Sequence, residues 1–234
     1  MTSVAKLMMG GASGGGGGSV TFVDAVQSDG TACIVVPHVQ QNVNDAKVRI
    51  VFRLPSVLNG QSPLRDKNIF GYSKNDSRWL LNNYDPFDSR ASHNCVVCQI
   101  YCGNGMVSGS QIDWPQMFSS VGGFHELVLT RQNGYVTMLA DGVQKVNAAQ
   151  TGTPVNGRYG LFTQNDIDGD AVNPIAGRTP SGTPVAEFDT WDGGELVTSL
   201  RACIDPNGVA CFYDLVSQQY LYSVSGGSFE VVSA

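Results

Sequence analysis

Strand-like runs, in which hydrophobic and polar residues alternate, recur along the chain from residue 20 onward. In AKVRIVFRL, residues 46–54, Arg49 and Arg53 fall on one face of an extended strand and the apolar side chains fall on the other. Comparable runs, separated by turn residues, are TFVDAVQ, TACIVVP, CVVCQIYC, FHELVLTR, GYVTMLADG, VQKVNA, RYGLFTQ, VAEFDTW and GELVTSLRAC. Many short strands at this spacing predict an all-β sandwich or barrel whose sheets each bury one face.

Three turn signals organise these runs into hairpins. Asn133-Gly134 and Asp141-Gly142 suit the type I′ turn, which needs a positive φ at both central residues, and they predict a meander over residues 124–147. Asp205-Pro206-Asn207-Gly208 combines a proline with Asn-Gly between two apolar, aromatic-rich runs, so it predicts another hairpin. A final alternating run over residues 228–232 closes the chain.

The C-terminal run RACIDPNGVACFYDLVSQQYLYSVSGGSFEVVSA and the early run VQSDGTACIVVP resemble the concanavalin A-like jelly-roll domains of the laminin-G-like kind. The meander FHELVLTRQNGYVTMLADG is similar to the same family. Such domains are common in proteins of gut bacteria and their phages. The resemblance covers roughly residues 20–232 and implies a two-sheet antiparallel jelly-roll sandwich with its first and last strands close together. The residues that fill the C-terminal pattern are Ala202, Cys203, Asp205, Gly208, Phe212, Tyr213, Asp214, Val216, Tyr220, Tyr222, Gly226, Gly227 and Phe229.

Length and composition agree with one all-β domain. The chain has 234 residues with 28 glycines, 10 prolines and only 15% charged residues, and no stretch of it predicts a helix. No apolar run is long enough to cross a membrane, and the N-terminus lacks the apolar core of a signal peptide, so we expect the mature chain to begin at Met1. A formal net charge of −6 without a basic stripe argues against binding to nucleic acid.

The N-terminal residues 1–19 differ in composition from the domain that follows, residues 20–234. A short apolar cluster, Val4, Leu7, Met8 and Met9, precedes the glycine-rich stretch GGASGGGGGS. This is a flexible-linker composition that cannot build its own core. We therefore predict a flexible attachment arm that becomes ordered against a partner or a neighbouring subunit.

The segment AEFDTWDGGE holds the strongest candidate for catalysis. Glu187, Asp189 and Asp192 are similar to the acidic strand of laminarinase-type glycoside hydrolases, which use two facing carboxylates on the same jelly roll. However, Asp192 falls on the face opposite Glu187 unless a bulge intervenes. The alternative is an ordinary family strand followed by a turn at Asp192-Gly193-Gly194, and the spacing to Cys203 favours this alternative.

Two groups of residues are candidate metal ligands. Asp166, Asp168 and Asp170 place carboxylates at alternate positions of a loop, as in calcium sites, although no glutamate closes the loop in the manner of an EF-hand. An exposed acidic loop is the favoured alternative. The cysteines of NCVVCQIYC have only His93 nearby as a fourth zinc ligand, so buried thiols are favoured there. Among the six cysteines we expect mostly free thiols, with Cys203 and Cys211 as cross-strand neighbours that pair if the protein is oxidised.

Aromatic residues in polar, turn-rich segments are the candidate sugar-binding residues. They are Tyr72, Trp79, Tyr84, Phe87 and Trp114. An exposed ring in a loop offers a flat apolar surface on which a sugar stacks. The alternative for each is a plug that covers a sheet edge.

Two functions of different classes remain from the sequence. We favour a non-enzymatic phage virion protein, either a capsid decoration, a head fibre or a tail-associated protein, that is assembled in the host cytoplasm. Its arm would bind other virion proteins or identical subunits, and its jelly roll would face host-surface or mucus glycans. The alternative is a bacterial carbohydrate-binding module or a laminarinase-type hydrolase. Fold alone does not decide between them. We expect no enzymatic activity and no nucleic-acid or membrane partner. We also expect no required cofactor, and calcium at the acidic loop is the alternative that the sequence leaves open.

Overall fold

The computed structural model describes residues 19–53, 67–74, 77–84, 97–118, 123–163, 165–166 and 183–233. Apart from one helical turn, the regular secondary structure of these residues is all β-strand, as predicted. The strands are β1 (Thr21–Phe22), β2 (Ala25–Ser28), β3 (Ile34–Val35), β4 (Asp45–Arg53), β5 (Lys67–Lys74), β6 (Ser77–Tyr84), β7 (Val97–Gly103), β8 (Gly105–Met106), β9 (Ile112–Asp113), β10 (Phe124–Gln132), β11 (Tyr135–Ala140), β12 (Val143–Ala149), β13 (Gly160–Leu161), β14 (Asn165–Asp166), β15 (Val185–Asp192), β16 (Glu195–Ile204), β17 (Ala210–Asp214), β18 (Gln219–Leu221) and β19 (Phe229–Val232).

One helical turn, α1 (Trp114–Met117), departs from the expectation that the chain forms no helix. A proline in its first turn suits the start of a helix, because that position donates no intrahelical hydrogen bond. Within the described residues, no helix is long and apolar enough to span a membrane.

The strands form two sheets. Within the described residues the larger sheet is 11-stranded, in the order β12-β11-β10-β4-β15-β16-β17-β18, with β1 on β16, β2 on β15 and β19 on β2. The smaller sheet is 8-stranded, in the order β3-β13-β5-β6-β7-β8, with β9 on β7 and β14 on β5. The pairings in the larger sheet are antiparallel, and β14 runs parallel to β5 in the smaller one.

The core lies between the two sheets. Strand β4 alternates as predicted, with Val48, Ile50 and Phe52 fully buried and the arginines on the opposite face only partly buried. Phe70 of the smaller sheet meets Phe188 of the larger sheet at 5.6 Å between ring centroids. These contacts across the layers confirm the predicted two-sheet antiparallel jelly-roll sandwich.

The predicted hairpins are also present. Asn133 and Gly134 have φ values of 53° and 79°, and Asp141 and Gly142 have 47° and 78°, which are the left-handed conformations that a type I′ turn requires. Strands β10, β11 and β12 therefore form the meander predicted for residues 124–147.

The two ends of the domain meet, as the sequence resemblance predicted. Strand β19 pairs antiparallel with β2, so that Val231 lies opposite Val26. Beside this pair, the Asp29 carboxylate accepts hydrogen bonds from the backbone N–H groups of Thr31 and Ser228, both at 2.8 Å. The hydrogen bonds from Ser228 and Thr31 lower the pKa of Asp29 well below its ordinary range.

Candidate functional site

The outer face of the larger sheet, meaning the face that points away from the smaller sheet, carries the site. Strand register brings its residues into line, because Arg49 of β4 lies opposite Asp189 of β15, and Arg201 of β16 lies opposite Glu187. On the next strand, Tyr213 of β17 lies opposite Arg201. Directly opposed residues point to the same face of a sheet, so charged and aromatic side chains share one surface.

Five charged side chains on this face form a network that we name the ion-pair cluster: Arg49, Glu126, Glu187, Asp189 and Arg201. Arg49 Nη1 donates to Glu187 Oε2 at 2.6 Å and to Asp189 Oδ2 at 2.7 Å. Arg201 Nη1 donates to Asp189 Oδ1 at 2.7 Å, and Arg49 Nε reaches Glu126 Oε2 at 2.5 Å. The guanidinium groups therefore hold three carboxylates from neighbouring strands in fixed positions.

Arg49 is the centre of the ion-pair cluster. Burial alone would lower the pKa of its guanidinium, but hydrogen bonds and charge from Glu187 and Glu126 outweigh burial and raise the pKa above its usual range. Asp189 has a side chain only 7% exposed and also accepts a hydrogen bond from Ser199 Oγ at 2.8 Å. The cluster is thus a rigid, mostly paired network.

Asp192 does not join Glu187 and Asp189. It lies on the same side of β15 as the core residue Phe188, and its carboxylate is 5% exposed. The register shift between β15 and β16 leaves this alternation along β15 unchanged. The acidic motif considered for hydrolysis is therefore divided between the two faces of the sheet, as the alternative interpretation of the segment predicted.

The Asp192 carboxylate has five hydrogen-bond contacts of its own. The backbone N–H groups of Gln41 and Asn42 donate to it at 2.8 and 2.7 Å, and side-chain nitrogens of His38, Gln40 and Asn42 contact it at 2.8 to 2.9 Å. Burial would raise the pKa of Asp192, but these hydrogen bonds outweigh burial and lower it. Asp192 therefore anchors the segment that enters β4.

Beyond Arg201, four aromatic rings form a line that we name the aromatic row: Phe22, Tyr213, Tyr220 and Tyr222. The centroids of successive rings lie 6.4, 5.0 and 6.4 Å apart. Phe22 is 53% exposed and Tyr222 is 45% exposed. An exposed line of large apolar groups on a folded domain is the kind of surface that marks a binding site.

The hydroxyl at the end of the aromatic row is tied to the β16–β17 turn. Tyr222 Oη donates to Asp205 Oδ2 at 2.9 Å. Desolvation and this hydrogen bond to a carboxylate raise the pKa of Tyr222 to about 12. Asp205 also accepts N–H groups of its own turn, from Asn207 and Val209, both at 2.8 Å. The hydrogen bond from the Val209 N–H is the largest cause that lowers the pKa of Asp205. The turn predicted from Asp205-Pro206-Asn207-Gly208 therefore positions the last ring.

The aromatic residues that the sequence predicted for sugar binding lie elsewhere. Tyr72 and Trp79 are fully buried between the sheets, so the prediction is wrong for these two, because neither ring has a face that a sugar can reach. Tyr84 ends β6 and Trp114 begins α1, but the side chains of both lie outside the described part of the chain, as does all of Phe87. For those three residues sugar binding stays a prediction.

The predicted calcium ligands and attachment arm fall largely outside the described residues. Asp166 belongs to β14, opposite Ser73 of β5, but its side chain and the whole of Asp168 and Asp170 are not described. Among the described residues, no group of three or more His, Cys, Asp or Glu residues is placed to hold a metal ion. The arm residues Val4, Leu7, Met8 and Met9 also lie outside the described part, so both predictions remain predictions.

The cysteines whose side chains the structure describes are free thiols. They are Cys33, Cys102, Cys203 and Cys211. Cys203 and Cys211 lie directly opposite each other on β16 and β17 with their Sγ atoms 3.4 Å apart, which confirms that they are cross-strand neighbours. The hydrogen bond with Cys211, followed by burial, raises the pKa of Cys203. His93 lies outside the described residues, so the choice between a zinc site and buried thiols in NCVVCQIYC is not tested.

Three members of the aromatic row, Tyr213, Tyr220 and Tyr222, belong to the C-terminal family pattern, and no binding role was predicted for them. Tyr220 and Tyr222 are two positions apart, which places them on one face, and this signal was present in the sequence. Phe22 and Tyr213 lie beside each other because β1 and β17 both pair with β16. No local sequence pattern reveals this pairing, so their place in the row could not be predicted.

Comparison with known proteins supports the fold. No protein-family model and no curated protein matches the sequence. A protein from Bacteroides ovatus ATCC 8483, solved as a candidate carbohydrate binding protein, superposes with a TM-score of 0.54 at 11% identity over 92% of this chain and 61% of that chain. The present chain thus spans less than two thirds of that protein's length.

Two further solved structures are more distant. A heptameric SAP-like pentraxin from Limulus polyphemus superposes with a TM-score of 0.46 at 11% identity over 76% of each chain. Domain 4 of an extracellular arabinanase from Geobacillus stearothermophilus, in complex with arabinotriose, gives a TM-score of 0.40 at 16% identity over 76% of this chain and 77% of that chain. At these identities only the fold is comparable, and the function has to be argued from this chain's own residues.

Proposed function

We propose that the chain is a non-enzymatic carbohydrate-binding jelly roll whose glycan lies across the aromatic row and the adjoining ion-pair cluster. The observation that carries this proposal is the contact between the two groups: Arg201 of the cluster and Tyr213 of the row are direct cross-strand partners. The described function of the similar Bacteroides ovatus protein agrees with it.

The chemistry of the two groups suits a sugar. One face of a pyranose ring presents polarised C–H groups, which pack on the negative face of an aromatic ring, while its hydroxyls need hydrogen-bond partners. Phe22 and Tyr220 supply rings, and the Tyr220 and Tyr213 hydroxyls add polar groups at their edges. Glu126 and Glu187, which are 40% and 31% exposed, supply acceptors next to them. Aromatic and apolar side chains with a few fixed polar groups are the usual composition of a small-ligand site.

The positions of the acids do not favour hydrolysis. A retaining or inverting glycosidase needs two carboxyl groups that flank the scissile bond, one of them available to donate a proton. Here Glu187 and Asp189 are both bound to guanidinium groups, and Asp192 is on the other face of the sheet. These residues fit a binding surface better than a catalytic pair.

Glycan binding with matched aromatic variants tests the proposal. Purified protein would be titrated with laminarin, related soluble β-glucans and mucin glycans. Phe22→Ala and Tyr220→Ala should each weaken binding about fivefold or more, since truncating a side chain that carries binding costs about 1 to 3 kcal/mol. Tyr135→Ala is the control, because Tyr135 is 54% exposed but belongs to the β10–β11 hairpin rather than to the aromatic row.

Two results would contradict the proposal. One is that the folded protein binds none of these glycans. The other is that the Tyr135 variant loses as much affinity as the Phe22 and Tyr220 variants, because binding would then not depend on the aromatic row.

We further propose that this binding module is displayed on a phage virion through residues 1–19. Support for this role comes from the arm's composition, an apolar cluster followed by glycines. The apolar cluster suits attachment to a partner, and the flexible glycines let the jelly roll take different orientations relative to that attachment point. Deleting residues 2–18 should leave the melting temperature nearly unchanged and abolish incorporation into particles. Full incorporation of the truncated protein would contradict attachment through residues 1–19, whereas absence of the full-length protein from particles would contradict the virion role; both results leave glycan binding untouched.

A further inference from the structure

Two thiols lie beneath the aromatic row, and we name them the thiol pair: Cys203 of β16 and Cys211 of β17. Cys203 is two positions along its strand from Arg201, which lies on the outer face of the larger sheet. Cys211 is likewise two positions from Tyr213, so both thiols point to the outer face rather than into the core. Both are nevertheless fully buried. Other side chains of the outer face must therefore cover them.

Phe22 of β1 and Tyr213 of β17 provide one part of this cover. Cys203 pairs with Phe22 on one side and with Cys211 on the other, so β16 separates β1 from β17. Two strands that flank a third lie about 10 Å apart. The ring centroids of Phe22 and Tyr213 are only 6.4 Å apart. The two rings therefore lean toward each other across β16, above Cys203.

Two further tyrosines cover the other thiol. Tyr220 of β18 is the direct partner of Tyr213, with ring centroids 5.0 Å apart. The same antiparallel register, continued by two residues, places Tyr222 opposite Cys211. The aromatic row is thus also the cover of the thiol pair.

Strand β1 is the part of this cover that comes from the other end of the chain. It has only two residues, both exposed, which pair with Ile204 and Cys203 at the end of β16. The backbone N–H of Val23 also donates to Ala202 O at 3.1 Å. Short elements with exposed hydrogen bonds open locally at a lower free energy than the core of a domain does. Displacing β1 therefore uncovers Cys203 while β16 and β17 stay paired.

The thiol pair has the arrangement that thiol–disulfide exchange requires. The hydrogen bond from Cys203 lowers the pKa of Cys211, and the same hydrogen bond raises the pKa of Cys203. The thiolate is the nucleophile in such an exchange, so the thiol with the lower pKa attacks first. Cys211 is therefore the attacking residue, and Cys203, with its Sγ atom 3.4 Å away, is placed to complete the exchange.

We propose that the thiol pair is a modification site gated by β1, and that it reacts with small disulfides such as glutathione disulfide only while β1 is displaced. The Cys211 thiolate attacks one glutathione sulfur, which breaks the glutathione S–S bond and releases one glutathione thiolate. The Cys203 thiolate then attacks the Cys211 sulfur of this mixed disulfide, so the Cys203–Cys211 bond forms and a second glutathione thiolate leaves. The two cysteine protons pass to the two glutathione thiolates, and glutathione disulfide takes up the two electrons that the thiol pair loses. No sugar takes part, so the proposal does not depend on glycan binding.

Thiol labelling of the folded protein tests whether Phe22 covers the thiol pair. Wild type and Phe22→Ala would be treated with iodoacetamide in the absence of glycans, and mass spectrometry would identify the labelled cysteines. Phe22→Ala should label the thiol pair about fivefold faster than wild type or more, which corresponds to opening that is easier by about 1 kcal/mol. Tyr135→Ala is the matched control and should label at the wild-type rate, because Tyr135 is 54% exposed but lies on the β10–β11 hairpin.

Glutathione disulfide gives a second measurement on the same folded proteins. Folded Phe22→Ala should lose about 2 Da, the mass of two hydrogen atoms, as the thiol pair is joined, whereas folded wild type should keep its mass. Cys102 is the internal control, because it is buried on β7 of the smaller sheet, which Phe22 does not cover. The proposal is overturned if Phe22→Ala reacts no faster than wild type. It is also overturned if labelling of Cys102 rises equally, because the variant would then open the whole domain rather than β1.

Wild-type protein alone gives a third measurement that does not depend on a variant's folding. In the folded wild type, iodoacetamide should label the thiol pair before it labels Cys102, because displacement of β1 requires less free energy than opening of the core. If Cys102 is labelled as fast as the thiol pair, then β1 does not open separately from the rest of the domain and the proposed gate does not exist.

Discussion

Replacing Gly227 with alanine should loosen the contact between the two ends of the domain. A Cβ atom at Gly227 would collide with Thr31 Oγ1 and the backbone nitrogen of Ala32, and it would lie 2.8 Å from Asp29 Oδ1. These atoms form the turn after β2, and that turn holds the segment before β19 through Ser228. The alanine side chain therefore occupies the place where the two ends of the chain meet.

The expected magnitude follows from two contributions. Overpacking a tight contact costs about 1 to 3 kcal/mol, and a displaced Asp29 turn weakens hydrogen bonds that each contribute up to about 1.5 kcal/mol at this exposed position. We therefore expect Gly227→Ala to lower the unfolding free energy by about 2 to 4 kcal/mol. For a domain of this size that corresponds to a fall of about 4 to 16 °C in melting temperature.

The neighbouring glycine provides the control. Gly226 has φ at 81°, which strains any other residue, but a Cβ atom there would meet nothing within 4 Å. Alanine at Gly226 costs about 1 to 2 kcal/mol of backbone strain, partly offset by about 0.4 to 1 kcal/mol of reduced unfolded-state entropy. We expect a net loss of at most about 1.5 kcal/mol, smaller than that at Gly227.

Equilibrium denaturation followed by circular dichroism measures both variants. Hydrogen exchange then locates the damage, which should appear first at the β2–β19 pair rather than in the meander. If Gly227→Ala is as stable as wild type, or if Gly226→Ala is the more damaging of the two, then close contact with the Asp29 turn does not determine how the ends are joined.

Three further predictions concern the acids and the thiols. Glu187→Gln should change no release of reducing sugar from laminarin, and a wild-type activity that this substitution abolishes would contradict the binding role. Both Cys203 and Cys211 are buried, so refolding in the presence of glutathione disulfide, rather than incubation of the folded protein, should join their Sγ atoms, which lie 3.4 Å apart. Cys203→Ala should leave Cys211 reactive toward iodoacetamide after unfolding. Asp192→Asn should destabilise the fold most above the ordinary carboxyl pKa of 3.8. Because folding lowers this pKa, the gap in melting temperature from wild type should close as the pH falls below about 4. A gap that widens in acid would contradict the sign of the shift.

Much of the fold could be predicted because its signals are local. The Asn133-Gly134 and Asp141-Gly142 turns depend on the backbone freedom of four residues, and the buried face of β4 depends on an alternation within nine. The meeting of β2 and β19 is a long-range contact, and it was predicted only from the family resemblance of the two ends of the chain. The turns and the alternation, unlike the β2–β19 pairing, do not depend on how the rest of the chain packs.

The candidate site was harder to predict because it depends on which face of a strand meets the other sheet. Tyr72 and Trp79 lie in the polar segment GYSKNDSRW, which indicated exposed loops. Yet Tyr72 is two positions from Phe70, and Trp79 is two positions from Leu81, and all four are fully buried. The alternation that correctly predicted β4 therefore applied here too, and it was a better guide than the composition of the segment.

Two arginines on adjoining strands show how completely strand position decides the environment of a residue type. Arg49 of β4 faces outward, where three carboxylates surround it. Arg131 of the neighbouring strand β10 continues the inward series of Leu129, and it is fully buried with its Cζ atom 4.7 Å from the centre of the Trp79 ring. Because side chains alternate with a period of two, moving either arginine by one position would exchange these environments. A charged residue type indicates an exposed face only on average. Its position within the strand is the stronger evidence, and here that position places one arginine beside the proposed glycan surface and the other among the side chains of the core.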